Sequence, residues 1–149
     1  MTDIRFYHLQ KQTLDQALPL ILEKAFEANH RVLVKMANAA EVDRMNTHLW
    51  TYRPDKFLPH GSQKNGHAKR QPIWLTDKEN NDNNADILVL TQGQTDDNIE
   101  TYGLVCEILD GQDDQTITSA RARWKAYSEA GHDVTYWYQS ESGKWEKKT

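Results

Sequence analysis

Three side chains near the C-terminal end, Arg121, Trp124 and Lys125, lie within Ala-Arg-Ala-Arg-Trp-Lys-Ala-Tyr, residues 120–127. On a helix, positions i, i+3 and i+4 put a guanidinium, an indole and an ammonium on one face. Such a set can hold carboxylates while the ring packs on an apolar side chain. It also describes the solvated side of an ordinary helix with a half-buried Trp, and the spacing leaves both readings open. Ala122, Ala126 and Ala130 fall roughly opposite and suit close packing against a sheet, so the basic-aromatic side is expected to face outward. Cations flanking an indole are unusual enough to need a reason on a chain of net charge -4.

A second segment, residues 49–61, collects Leu49, Trp50, Tyr52, Phe57 and Leu58 around Pro54 and Pro59. The prolines preclude regular structure there. The rings either cap one end of the core or form an aromatic anchor patch for a protein partner.

Reactive chemistry is poorly represented. Gly61-Ser-Gln-Lys-Asn-Gly66 has the glycine spacing of a phosphate-binding loop but lacks the Lys-Ser/Thr pair that would hold phosphate and magnesium. No Gly-x-Gly-x-x-Gly follows either early strand. The six histidines, His8, His30, His48, His60, His67 and His132, show no metal-ligand spacing, although His60 and His67 could approach each other in a loop. Cys106, the single cysteine, lies in an apolar run and reads as a small core residue. Asp96-Asp97 and Asp113-Asp114 read as loop or cap residues. The residues present no catalytic constellation and call for no metal or cofactor.

The elements that must position these side chains follow from hydrophobic period and cap chemistry. Ile4 to Leu9 reads as a strand, and Leu14, Leu18, Ile21, Leu22, Ala25 and Phe26 give a helix over about Thr13 to Asn29. Pro19 sits inside that pattern, so the helix either spans it or begins there. Val32 to Val34 is a buried strand, and Asn38 with Glu41 three residues on forms a capping box for a helix reaching about Trp50. Residues 51–72 are mostly loop, with a short extended piece around Phe57-Leu58. Ile73 to Leu75, Asp86 to Leu90, Tyr102 to Leu109 and Val134 to Tyr138 read as strands, and the polar run from Asp77 to Asn84 as an exposed loop. Asp114 to Gly131 is the last helix, with Gly131 as its C-terminal cap. Alternation of strands and helices predicts one α/β domain over residues 1–149 with a mostly parallel central sheet flanked by helices.

With 149 residues the chain has the size of one domain, and its sequence pI near 5.8 argues against general phosphate-backbone binding. A single cysteine, no signal-like N-terminus and no apolar run long enough to span a bilayer lead to the expectation of a cytoplasmic protein with no membrane partner.

Leu-Trp-Thr-Tyr-Arg-Pro-Asp-Lys-Phe-Leu-Pro-His-Gly at residues 49–61, then Asp-Ile-Leu-Val-Leu, then Ala-Arg-Ala-Arg-Trp-Lys-Ala-Tyr with Ala130-Gly131-His132, strongly resemble the chi subunit of bacterial DNA polymerase III. The similarity runs from Phe6-Tyr7-His8-Leu9 to Trp137 and Trp145. It implies a Rossmann-like domain without catalytic activity, an adapter that joins the clamp loader to single-stranded DNA-binding protein in DNA replication and meets nucleic acid only indirectly. It further implies that the acidic C-terminal tail of single-stranded DNA-binding protein docks at positions matching Arg121, Trp124 and Lys125. Ile117 stands where the best-known member has a basic residue, so one charge contact is missing. Trp50 and Phe57, with Tyr52 beside them, match the surface that binds the psi subunit, or a substitute clamp-loader component. Two rival readings remain: a direct single-stranded DNA binder that stacks bases on Trp124 and meets phosphates with Arg121, Lys125, Lys69 and Arg70, and a nucleotide-binding enzyme.

Overall fold

A computed structural model describes the chain except Met1, Lys11, Pro54, Lys56, Phe57, Glu79, Gln112, Glu141, Gly143, Lys148 and Thr149. Eight strands form one sheet in the order β3-β4-β2-β5-β6-β1-β7-β8. In chain order they are β1 (Asp3–Leu9), β2 (Val32–Lys35), β3 (Gly61–Ser62), β4 (Ile73–Thr76), β5 (Ile87–Leu90), β6 (Leu104–Asp110), β7 (Asp133–Gln139) and β8 (Trp145–Lys147). All pairings are parallel except β7 with β8. The helices are α1 (Leu14–Glu27), α2 (Ala39–Thr51) and α3 (Asp114–Glu129). This is the expected mostly parallel α/β sheet, consistent with a Rossmann-like domain. Among the described residues no helix is long and apolar enough to cross a membrane.

The central strands β2 and β5 are buried at every position, as apolar runs require when helices cover both faces, and Lys35 at the end of β2 is buried with its ammonium donating to the Thr95 carbonyl. Val34, Ile73, Leu75, Val89 and Cys106 face one core with α1 and α2. Ile4, Phe6, Leu88, Leu90, Val105 and Leu109 face a second core with α3. Burial pushes the Cys106 thiol up to about 12, consistent with an inert core residue.

Cap chemistry sets the helix starts. Thr13 and Gln16 form a reciprocal capping box, so α1 begins at Leu14 and spans Pro19. Pro19 has no N–H for the carbonyl of Asp15, four residues earlier, and His48 of α2 supplies a replacement, its Nε2 2.7 Å from Asp15 O. The expected box at Asn38 is only half made. Asn38 accepts from the Glu41 N–H, but the Glu41 carboxylate turns to Arg44 and Gln92 instead.

Two further expectations need correction. The polar run from Asp77 to Asn84 is not wholly exposed. Asn83 is fully buried, and its amide donates to the carbonyls of Val32 and Gln71, tying that loop to the start of β2. The strand expected from Tyr102 begins at Leu104, after a short 3-10 turn, and the two short strands β3 and β8 carried no periodic signal. Leu58 is buried, while Phe57, which shares its expected extended piece, lies outside the described residues.

Candidate functional site

Asp113 starts α3 by accepting from the Gln115 N–H and the Thr116 hydroxyl. At the other end, Gly131 takes φ +92, a conformation that a side chain would strain. Between these ends, the residues turned to the sheet are Ile117, Ala120, Trp124 and Tyr127. Ala122, Ala126 and Ala130 are exposed, opposite to expectation. Small side chains suit close packing, but the larger apolar residues bury more area and take the inner face.

Arg121 and Lys125 are exposed as expected, whereas Trp124 is half-buried. The indole packs 5.7 Å from the Phe6 ring and 5.8 Å, edge-on, from Tyr136. The three residues therefore form a graded surface, with two outward cations and an indole leaning inward beside them. Ile117 also packs partly on the core instead of standing clear of the helix. Burial pushes the Tyr136 hydroxyl above its ordinary range, and the charge of Arg121 pulls it partly back. Tyr136 in turn hydrogen-bonds Nδ1 of His8.

Arg123 has a different task. Its Nε donates to the carboxylate of Glu107 on β6, which is 2% exposed. Burial raises the Glu107 carboxyl and Arg123 pulls it back, while its Oε2 is buried with no hydrogen-bond partner. This ion pair anchors α3 to the sheet between the two residues expected to bind. Sequence reasoning missed it, although strand alternation of Val105, Glu107 and Leu109 was a usable signal, because it directs Glu107 beneath α3.

At the end of α2 the expected rings separate. Trp50 is 49% exposed and lies 4.2 Å from the His60 ring, while Tyr52 packs against the core. The Tyr52 hydroxyl donates to Glu23 of α1. Burial and that carboxylate push the hydroxyl well above its usual range. Of this group Trp50 alone has the exposure of an anchor; Tyr52 joins α2 to α1, and the candidate Phe57 lies outside the described residues. α2 and α3 cover opposite faces of the sheet, so a ligand on one leaves the other open.

The switch-point crevice of a doubly wound sheet lies at the C-terminal ends of adjacent strands whose connections diverge. Here it lies beside β1 and β6 and measures about 830 Å³. Its helix N-termini are occupied by the protein's own groups, the Thr13–Gln16 box on α1 and Asp113 on α3. Arg44 bridges Asp15 at 2.6 Å and Glu41 at 2.9 Å, and the cation holds the Glu41 carboxyl below its usual range. The loop from Gly61 to Gly66 also closes on itself, with Asn65 accepting from the Ser62 N–H and Lys64 paired to Asp43 at 2.8 Å. Among the described residues, no three His, Cys, Asp or Glu side chains gather to hold a metal.

This arrangement can bind a carboxylate-bearing peptide at Arg121 and Lys125, with an apolar side chain beside Trp124. Comparison with known proteins gives the family of the chain and not the roles of these residues. A family model described as "DNA polymerase III chi subunit, HolC" matches residues 1–135. A "Probable DNA polymerase III subunit chi" from Rickettsia prowazekii (strain Madrid E) is 31% identical over 90 residues, 60% of this chain and 54% of that protein. The chain thus spans about half the length of this curated relative.

Proposed function

The chain belongs to the DNA polymerase III chi subunit family, and on that premise we propose that it is a non-catalytic adapter of the replication machinery. Its α3 face grips the acidic C-terminal tail of single-stranded DNA-binding protein. Arg121 and Lys125 meet carboxylates, and the tail's terminal Pro-Phe lies against Trp124 and its apolar surroundings. The Trp50 patch, with Phe57 and Tyr52, holds psi or a substitute clamp-loader component. No metal or cofactor takes part, and DNA is met only through the coated strand.

The observation that carries this reading is the pair of exposed cations beside a half-buried indole on an otherwise acidic chain. Separate faces support a bridge, since each contact can be modest when many tails are displayed on one strand and raise the effective concentration. The tail contact should weaken with salt because exposed charge pairs are screened.

Titration calorimetry of a synthetic acidic peptide ending in Pro-Phe tests the assignment. Arg121→Ala should lower its affinity about 5- to 30-fold, the equivalent of one charge-assisted contact of about 1–2 kcal/mol, with the fold intact. Unchanged affinity would remove the α3 face from the account. Trp50→Ala should leave tail affinity alone and weaken binding of psi; a variant that unfolds instead would return Trp50 to a purely structural role.

A further inference from the structure

The sheet face carrying α1 and α2 is unevenly covered. Both helices contact its β2–β4 side. Strand register places Cys106, Arg5 and Thr135 in one row and Ile108, Tyr7 and Trp137 in the next, all turned away from α3. Pairing of Gln139 with Trp145 brings the last indole onto the same face, edge-on to Tyr7 at 5.0 Å. No helix of the described residues is built between β7 and β8 to cover this half.

The result is a groove of about 940 Å³ between α1 and β8. Leu20, Ile21 and Lys24 form one wall, Lys144 and Trp145 the other, and Tyr7, Leu104 and Cys106 lie at the base. Leu20 is 42% exposed, and it and Trp50 are the exposed large hydrophobics among the described residues. From Leu20 to Ala28 the α1 wall runs about 12 Å at 1.5 Å per residue, long enough for two turns of a second helix beside it.

Charge narrows the occupant. Arg5, Lys24 and Lys144 line the groove, while Glu23 is committed to the Tyr52 hydroxyl. Glu27, near the C-terminal end of α1, is the remaining carboxylate in the lining; Asp3 and Asp133, opposite each other at the strand starts, are outside it. A local excess of cations around an apolar base, on a chain of net charge -4, complements an amphipathic segment with an aliphatic ridge and acidic flanks.

We propose that this groove is a further protein-docking surface, independent of the α3 face and the Trp50 patch, and that it takes an amphipathic helix of a partner with glutamate or aspartate beside its apolar ridge. Such a helix would fill the uncovered layer of the sheet in the manner of helix-in-groove recognition. Single-stranded nucleic acid is the less suitable occupant, since the Trp145 and Tyr7 rings already engage each other edge-on and the rest of the base, Leu104 and Cys106, offers no face for base stacking.

The test uses the full chain carrying Arg121→Ala and Lys125→Ala together, which removes both exposed α3 cations of the proposed tail site, labelled with nitrogen-15. Three probes are titrated: an acetylated 14-residue helical peptide with leucines at i, i+3, i+4 and i+7 flanked by glutamates, the same peptide with lysines for glutamates, and an oligo-dT. The glutamate peptide is expected to shift the Leu20, Lys24, Leu104 and Trp145 indole resonances and to lose at least tenfold in affinity with Lys24→Glu or Leu20→Glu. Thermal denaturation checks that these exposed substitutions leave the fold unchanged. Equal binding of both peptides, shifts confined to α3, the same resonances moving with oligo-dT, or affinity indifferent to both variants would each overturn the proposal.

Discussion

Replacing Arg123 by alanine isolates the ion pair that seats α3. Its partner Glu107 is 2% exposed, so the variant leaves a carboxylate buried without its cation. Breaking such a pair typically costs about 3–5 kcal/mol. Here the group has an escape, which is to stay protonated. Relative to an unfolded chain in which it titrates at its ordinary value of 4.5, staying neutral at pH 7 costs about 1.4 kcal/mol per pH unit, or about 3 kcal/mol. That sum caps the pH-dependent part of the loss.

The sign follows from the same linkage. Without Arg123 the folded carboxyl lies higher still, so the native state holds more protons than the unfolded state above pH 4.5, and stability falls as pH rises. Below pH 4.5 both states are protonated and only packing and a neutral hydrogen bond are lost. Because the parent's Glu107 is already raised, scanning calorimetry of Arg123→Ala against the parent should give a Tm deficit from this part of no more than about 6–12 °C at pH 7. Most of it should disappear by pH 4.5. A deficit equal at the two pH values, or one below about 2 °C at pH 7, would refute the assignment of Glu107 as a buried carboxylate held by Arg123.

Two other substitutions probe separate parts of the account. His48→Ala orphans the Asp15 carbonyl and should cost about 1–2 kcal/mol in denaturant unfolding, yet much less in a Pro19→Ala background, where the helix regains its own donor; equal costs in both backgrounds would show that His48 is not replacing the missing N–H. Ile117→Lys should tighten the acidic tail peptide several-fold and steepen its salt dependence, as measured by fluorescence anisotropy at two salt concentrations; an unchanged affinity would exclude position 117 from the tail site.

Strand positions were legible because Val32 to Val34 and Ile87 to Leu90 are short unbroken apolar runs with polar residues beside them, and the starts of α2 and α3 because Asn38 and Asp113 are cap residues, whereas Pro19 left the start of α1 open in the sequence. The inner face of α3 was not. Arg123, a charged residue on the sheet side, breaks the apolar stripe that Ile117, Ala120, Trp124 and Tyr127 would otherwise make, and only the long-range partner Glu107 explains its position. The alanines then offered a more regular stripe that faces solvent. Similarly, nothing local marks Asn83 as buried, because its hydrogen-bond partners are 51 and 12 residues away. Trp145 reads as a terminal aromatic until antiparallel pairing with β7 sets it over Tyr7. Local chemistry thus identified the exposed cations of α3, and tertiary contacts decided how far the indole between them leans into the core.

The most direct measurement is a competition on the intact chain. A labelled acidic peptide ending in Pro-Phe is bound, and unlabelled oligo-dT or unlabelled peptide is added, at low and high salt, with the parent and with Arg121→Ala. The expected result is saturable, salt-weakened peptide binding that unlabelled peptide displaces, that oligo-dT leaves untouched and that Arg121→Ala weakens about 5- to 30-fold. Displacement by oligo-dT, or peptide binding indifferent to Arg121, would contradict it.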